Sequence, residues 1–212
     1  MTPPPNVEEQ YQRLYARLVV RGRTLRPIRT LMLVGAHHGD GVTTTASLFA
    51  RALAKSRTVL LVDANLRTPA LAEVFGVRAN GGLADFLARK VSLEEAITQT
   101  EVPNLFLMTS GSAPLAPPYL FEAGPFDELL ADLKEKFNYI VFDGAPLAIH
   151  LDSIFLASRV DGVILVVKAE STPVEAGQEV KRKLDEVEAQ LLGVIVNRIQ
   201  TYVPQFVRRL LA

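Results

Sequence analysis

The chain has 212 residues, 49% of them hydrophobic, which is enough for one sizeable α/β domain with its own core. Its 23 Lys and Arg residues balance 23 Asp and Glu residues, so electrostatic binding of nucleic acid over a broad surface is not expected. Because the sequence holds no cysteine, it excludes disulfides, thiolate nucleophiles and thiolate metal sites.

The N-terminal residues predict a Pro-rich leader followed by a helix. MTPPPN contains three prolines, and apolar or aromatic residues then recur at helical spacing from Val7 to Val19. The opening lacks the basic flank and apolar run of a secretion signal, and no stretch approaches the roughly 20 apolar residues that span a bilayer. We therefore expect a cytoplasmic protein, with the leader and helix over residues 1–28 and a single α/β domain over residues 29–212.

Strand-like and helix-like segments alternate after Pro27. The predicted strands cover residues 30–35, 58–63, 104–110, 139–144, 162–168 and 191–197. The predicted helices cover residues 43–56, 81–90, 92–99, 125–137, 152–158, 173–191 and 204–212, and a Pro/Gly-rich surface loop covers residues 111–125. The strands are nearly continuous Val, Ile and Leu runs, which indicates burial on both faces. This alternation predicts a three-layer α/β fold with a doubly wound, mostly parallel sheet.

The first predicted strand leads into a loop that is typical of phosphate binding. Residues 36–43, AHHGDGVT, fit the pattern of a small residue, four further residues, glycine, lysine, and Ser or Thr, except that Val42 stands in the lysine position. Glycines let backbone N–H groups turn toward phosphate oxygens, and the helix N-terminus adds a positive dipole. Thr43 is placed to bind Mg²⁺ through its hydroxyl. Taken alone, the loop is equally consistent with an ordinary strand–turn–helix connection.

Two further apolar strands end in aspartate. Asp63 closes VLLVD and is followed by Asn65 and Arg67 in the pattern D-x-N-x-R, and Asp143 closes YIVFD. Because ligands bind at the carboxyl ends of parallel strands, both aspartates and the glycine loop are predicted to meet at one rim of the sheet. There a carboxylate can hold Mg²⁺ or its water ligands. The less favoured alternative for each aspartate alone is that it caps the following turn. The three motifs in this order are much more specific than any one of them.

In this order the motifs resemble those of the bacterial tyrosine kinases, or BY-kinases. These are cytoplasmic P-loop domains that regulate capsule and exopolysaccharide synthesis, and they are related to the ParA/MinD ATPases. The resemblance extends over about residues 7–200 and also includes NGGLADFL (80–87), LFLMTSG (105–111), FNYIVFDGAP (137–146), Asp152, VILVVKAEST (163–172) and GVIVNR (193–198). NGGLADFL and the D-x-x-x-R strand are specific to the family, and the other motifs fit the wider group.

The resemblance implies a P-loop fold that binds ATP or ADP with Mg²⁺, and it assigns roles residue by residue. The implied nucleotide-binding residues are Gly39, Asp40, Gly41, Val42, Thr43, Thr44, Asn197 and Arg198, the last two lying against the adenine. The implied metal ligands are Thr43, Asp63 and Asp143, and the implied catalytic residues are Asp63, Arg67 and Asp143.

The resemblance also implies partners. They are a membrane chain-length-determinant or polysaccharide-export protein, which would hold the chain peripherally at the inner face of the cell membrane. Whether the chain forms a homo-oligomer is left open, and nucleic acid is not expected as a partner.

Four departures from the family pattern concern function. Val42 replaces the loop lysine, and Asn65 replaces the second aspartate of D-x-D. The N-terminal E-x-x-R-x-x-R motif, which helps the family form rings, keeps only Glu9, and the C-terminal tail holds Tyr202 in place of a tyrosine cluster. Lysine bridges the β- and γ-phosphates as a point charge, which valine cannot do. We therefore predict a catalytically impaired pseudokinase that acts as a regulator or scaffold.

Two alternatives remain open. The first is an active ATP-binding tyrosine autokinase or ATPase with an unusual loop, in which Arg67 or a partner's arginine supplies the missing charge. His37 and His38 are predicted to face solvent and to be mostly neutral at pH 7. The second is a spatial-organisation ATPase of the ParA/MinD kind, which NGGLADFL and the lack of an early loop lysine disfavour. The amphipathic tail over residues 204–212 is predicted to pack on the domain rather than on a membrane.

Overall fold

The computed structural model describes residues 9–17, 27–78, 81–112, 121, 124–147 and 149–199. Its strands are β1 (Thr30–Gly35), β2 (Val59–Asp63), β3 (Ile97–Gln99), β4 (Leu105–Met108), β5 (Tyr139–Asp143), β6 (Gly162–Lys168) and β7 (Leu191–Asn197). Its helices are α1 (residues 9–17), α2 (Val42–Ala54), α3 (Leu71–Phe75), α4 (Leu83–Leu87), α5 (Leu93–Ala96), α6 (Pro125–Lys136), α7 (Leu151–Ala157) and α8 (Val174–Glu186). The predicted helix over residues 204–212 and most of the predicted loop over residues 111–125 lie outside the described residues.

The seven strands form one sheet in the order β3-β4-β2-β5-β1-β6-β7, parallel except for β3. Successive residues of the central strands enter two separate cores: on β1, Met32 and Val34 join one core, and Leu31 and Leu33 join the other. Helices α4, α6, α7 and α8 cover the first core, and α1, α2 and α3 cover the second. The predicted three-layer α/β fold with a mostly parallel sheet is confirmed. No helix in the described ranges is both long and apolar enough to cross a bilayer.

Two of the predicted helices are wrong in extent. The helix predicted over residues 92–99 ends at Ala96, and Ile97–Gln99 pair antiparallel with β4 instead. A capping box at Ser92 starts the helix, but the β-branched residues that follow favour an extended chain. The helix predicted to reach residue 191 ends at Glu186, because Glu188 adopts a left-handed φ of 54° that closes the last turn.

The expectation that every strand is buried on both faces is also wrong. Strand β7 lies at the edge of the sheet, and Val194 and Val196 are 53% and 47% exposed. An apolar run indicates a strand, but it does not distinguish an edge position from a central one.

The segment NGGLADFL contacts the residues that follow β4 and holds them in place. Asp85 is 3% exposed and accepts hydrogen bonds from the backbone N–H and the hydroxyl of Ser112, at 2.8 and 2.9 Å. Gly82 lies so close to this exit that an added Cβ would overlap the backbone nitrogen of Gly111 and the carbonyl oxygen of Thr109. The described part of this motif therefore has a structural role, because it holds one side of the rim in place.

We expect Gly82→Ala to lower the free energy of unfolding by about 1–3 kcal/mol, the usual cost of overpacking. The added methyl group meets backbone atoms, which cannot move aside as a flexible side chain can. Chemical denaturation measures the loss. Gly193→Ala in β7 is the matched control, since nothing lies within 4 Å of its added Cβ. Equal unfolding midpoints for the two variants would contradict this explanation.

Candidate functional site

The structure brings the glycine loop, Asp63 and Asp143 to one rim of the sheet. Strand β5 lies between β1 and β2, and Asp63 pairs in register with Asp143. The loop over residues 36–41 follows β1 directly and leads into α2, whose first turn carries Thr43. The Thr43 hydroxyl lies near the Asp143 carboxyl. The carboxyl ends of three neighbouring strands thus define the candidate site.

The turn from the loop into α2 depends on Gly41. Its φ is 89°, in the left-handed region that favours glycine, and an added Cβ would overlap the side-chain amide of Asn197. That amide donates a hydrogen bond to the carbonyl oxygen of Asp40 at 3.1 Å, so the end of β7 rests against the loop. Arg198, which follows, is exposed, and its backbone N–H donates to the Asn197 side chain at 2.8 Å.

The side chain of Val42 is directed into the protein. It is 9% exposed, belongs to the core that contains Leu31 and Leu33, and has its Cγ2 close to Gly35 at the end of β1. The loop positions on either side are open: His37, His38, Gly39 and Thr44 are exposed. The predicted exposure of both histidines is confirmed, and the open side of the loop is formed by His37, His38, Gly39 and Thr44.

The two rim aspartates differ in what holds them. Asp63 Oδ2 accepts hydrogen bonds from the backbone N–H groups of Ala70 and Leu71, both at 3.0 Å, whereas its buried Oδ1 has no partner. Both oxygens of Asp143 are buried without a hydrogen bond. Burial raises the pKa of Asp63 to about 6, although its backbone donors act to lower it. Burial and then the charge of Asp63 raise the pKa of Asp143 to about 7, opposed by Thr43.

The oxygen atoms at this rim fit a Mg²⁺ ion. Asp63 and Asp143 present three buried carboxylate oxygens without hydrogen-bond partners, beside the hydroxyl of Thr43, and Mg²⁺ prefers such hard oxygen ligands. Across the described ranges, no three His, Cys, Asp or Glu side chains form a metal site by themselves. An ion here would therefore need water or phosphate oxygens as further ligands, which is the usual arrangement for Mg²⁺.

The predicted catalytic residue Arg67 is engaged by a carboxylate that the sequence analysis did not single out as a site residue. Arg67 Nη2 lies 3.2 Å from Asp152 Oδ2, and the Asp152 side chain is 8% exposed with its Oδ1 unpartnered. His150 lies two residues before Asp152, and the centroid of its ring is 5.9 Å from that of His38. Burial, and then Arg67 and His38, lower the pKa of His150, while Asp152 raises it. Asp152 lies in the first turn of α7 rather than at the end of a strand, so no strand-end signal marks it as a site residue.

Asn65, in the position of the family's second aspartate, takes part in a local turn. Its Nδ2 donates to the hydroxyl of Thr68 at 3.0 Å, and its Oδ1 accepts from the backbone N–H of Thr68 at 3.3 Å. Such a side-chain turn is a common structural use of asparagine. The described contacts of Asn65 therefore stabilise the chain after β2.

Asp40 lies in the loop, but its carboxylate is directed to the protein's own donors. Oδ2 accepts hydrogen bonds from the backbone N–H groups of Ala36 and His37, at 3.0 and 2.8 Å. Oδ1 accepts one from the hydroxyl of Thr172 at 2.7 Å. Thr172 was missed by sequence reasoning. The signal that could have found it is its position four residues after β6, whose carboxyl end lies at the same rim.

Comparison with known proteins relates the chain to kinases and ATPases. The family model for the AAA domain matches residues 29–195, which include the glycine loop and both aspartates. The tyrosine-protein kinase CpsD of Streptococcus pneumoniae is 28% identical over 201 residues, covering 94% of this chain and 87% of that protein. The solved kinase domain of VpsO is 33% identical with a TM-score of 0.81, covering 91% of this chain and 96% of its own. The septum site-determining protein MinD of Pyrococcus horikoshii, solved with Mg-ADP, is 26% identical with a TM-score of 0.67, covering 86% and 76%.

Proposed function

The chain belongs to the AAA domain family and to the bacterial tyrosine kinases, and from that premise we propose that it is a pseudokinase. In this proposal it holds ATP or ADP weakly with Mg²⁺, does not transfer phosphate efficiently, and regulates or scaffolds capsule or exopolysaccharide synthesis. The observation that carries the proposal is Val42, whose side chain lies in the core at the position where the family pattern has a phosphate-binding lysine.

Nucleotide binding is supported by the groups that remain. The loop and the N-terminus of α2 offer backbone N–H groups and a helix dipole to phosphate oxygens, with Thr43 and Thr44 in the first turn. Asp63, Asp143 and Thr43 would hold Mg²⁺, which when bound neutralises charge on the phosphates. Asn197, which rests on the loop, and Arg198 would lie against the base.

Impaired transfer is supported by the contacts of Arg67 and of Asn65. A charge-assisted contact contributes about 1.5–3 kcal/mol, so loss of the lysine weakens nucleotide binding by about ten- to a hundredfold. The transition state loses more, because charge on the transferring phosphoryl group must be met by preorganised positive groups. Arg67 is paired with Asp152 at 3.2 Å, and Asn65 closes a local turn. Neither residue restores the missing charge.

The partner in this proposal is a membrane chain-length-determinant or polysaccharide-export protein, which would hold the chain at the inner face of the cell membrane. The support for it is family membership. A ring built through the N-terminal motif is not part of the proposal, because Gln12 and Tyr15 stand where that motif has its two arginines. The remaining Glu9 pairs with Arg13 within α1 at 2.6 Å. Nucleotide occupancy, rather than phosphorylation of a tyrosine cluster, would then be what the partner senses.

Two measurements on the purified chain test the proposal together. Titration calorimetry with ATP and Mg²⁺ should give weak binding, and an anti-phosphotyrosine assay should give no signal above that of Thr43→Ala. An active BY-kinase domain in parallel controls for the assay. Robust Mg²⁺-dependent phosphotyrosine on the wild-type chain would overturn the pseudokinase proposal in favour of an active autokinase. No detectable nucleotide binding would overturn the nucleotide part.

A further inference from the structure

Asp40 carries a charge that is buried inside the glycine loop. It is 4% exposed, and all three of its side-chain hydrogen bonds come from donors: the N–H groups of Ala36 and His37 and the hydroxyl of Thr172. An ionised carboxylate is an acceptor only, so this set of donors suits the charged form. Burial keeps solvent and salt from screening the charge, unlike that of an exposed acid.

The position of this charge works against anionic ligands. A phosphate loop binds its ligand through backbone N–H groups and a positive end of a helix dipole. Here Asp40 already occupies the N–H groups of two loop residues, and it adds a negative charge where the ligand would bring more. Val42 supplies no opposing cation. Repulsion of this kind grows with each negative charge on the ligand.

The same residue also links three parts of the site. The Thr172 hydroxyl that donates to Asp40 accepts a hydrogen bond from the backbone N–H of Lys168 at 2.9 Å, which ties the loop to the end of β6. The carbonyl oxygen of Asp40 accepts from Asn197 at the end of β7. Asp40 therefore acts on the site in two ways, through its hydrogen bonds and through its charge. Variants that keep one and remove the other separate the two effects.

We propose that Asp40 determines specificity in this site, because its buried carboxylate disfavours nucleotides in proportion to their phosphate charge. Among nucleotides without bound Mg²⁺, triphosphates are then penalised more than diphosphates, and diphosphates more than monophosphates. The site is biased toward the less charged nucleotide. This inference rests on the proposed nucleotide binding and deepens it by naming which nucleotides the site tolerates.

Asp40→Asn separates charge from shape. The amide oxygen can still accept from Ala36 and His37, while its NH₂ group can donate to Thr172, so the loop keeps its tether without the charge. With a chelator in place of Mg²⁺, so that the negative charge falls from ATP to ADP to AMP, we expect the affinity for ATP to rise by roughly tenfold, that for ADP by less, and that for AMP to change least. Competition titrations against a fluorescent ADP analogue measure all three ligands, and thermal unfolding of each variant checks that it is folded.

Three further variants control the experiment. Thr172→Val removes a hydroxyl donor but keeps the charge, so it should not favour ATP. Asp132→Asn removes an exposed charge on α6 and should leave all three affinities unchanged. Asp40→Val is a second charge-free variant and should shift the ratio of ATP to AMP affinity in the same direction as Asp40→Asn.

The outcomes distinguish this inference from the function on which it rests. Equal shifts for ATP, ADP and AMP in Asp40→Asn, or weaker ATP binding, would overturn the inference and leave nucleotide binding intact. If neither the wild type nor the charge-free variants bind any of the three nucleotides at millimolar concentration, with Mg²⁺ or without it, the proposed function itself fails and the inference fails with it.

Discussion

Val42→Lys is expected to tighten the binding of Mg-ATP by about ten- to a hundredfold, the equivalent of one charge-assisted contact to phosphate. Valine at this position is buried beside Gly35, at the start of α2. A lysine side chain is long enough to leave that position and reach the open side of the loop, where Gly39 and Thr44 are exposed. Loss of the valine from the core lowers the free energy of unfolding, whereas the added charge changes the affinity, which is measured separately.

Titration calorimetry with Mg-ATP and Mg-ADP measures this gain. Val42→Met is the matched control, because it has similar length without charge and should not tighten binding. The gain should be larger for ATP than for ADP, since lysine contacts both the β- and γ-phosphates. A wild-type chain that already binds Mg-ATP tightly, to which lysine adds little, would contradict the pseudokinase proposal and favour an active enzyme with an unusual loop.

Asp143→Asn is expected to stabilise the chain without nucleotide or metal by about 2–4 kcal/mol at pH 8. Both carboxylate oxygens of Asp143 are buried without partners, and its pKa is raised from 3.8 to about 7. A raised pKa means that the folded state binds the proton more tightly than the unfolded state. The resulting stability is present in full below pH 3.8 and is lost as the pH rises through about 7, where the buried group must ionise.

The difference in stability between Asp143→Asn and wild type should therefore grow from pH 5 to pH 8. Denaturant titrations at several pH values, in the presence of a chelator, measure it. Asp132→Asn removes an exposed carboxylate on α6 and should show no such growth. Parallel pH profiles for wild type and Asp143→Asn would show that the carboxylate is not held at an energetic cost, and would weaken the case that this rim is built to receive a cation.

Sequence reasoning could place the rim because its residues follow from local patterns. Asp63 and Asp143 each end an apolar strand, and parallel strands put such ends side by side, as the register of β2 and β5 shows. The contacts of Asp63 could not be predicted in the same way. Its partners Ala70 and Leu71 lie at the start of α3, a five-residue helix that is too short to carry a periodic signal.

The burial of Asp40 is the clearest case of information that no local pattern contains. A charged residue between two loop glycines is expected to face solvent or ligand. What fixes it inside is the hydroxyl of Thr172, 132 residues further along the chain, brought near by the pairing of β6 with β1. Strand β3 was missed for a related reason, since its pairing with β4 decides the conformation of a three-residue segment.

A crystal structure of the chain with ATP and Mg²⁺ tests the central claim most directly. The proposal predicts intact ATP with its phosphates against the loop and Mg²⁺ near Asp143 and Thr43. It also predicts that Arg67 remains on Asp152 and that no Lys or Arg nitrogen lies within hydrogen-bond distance of both the β- and γ-phosphates. A cation lodged between those two phosphates, whether Arg67 or an arginine from a second copy, would contradict it. So would a nucleotide bound away from Gly41, Asp63 and Asp143.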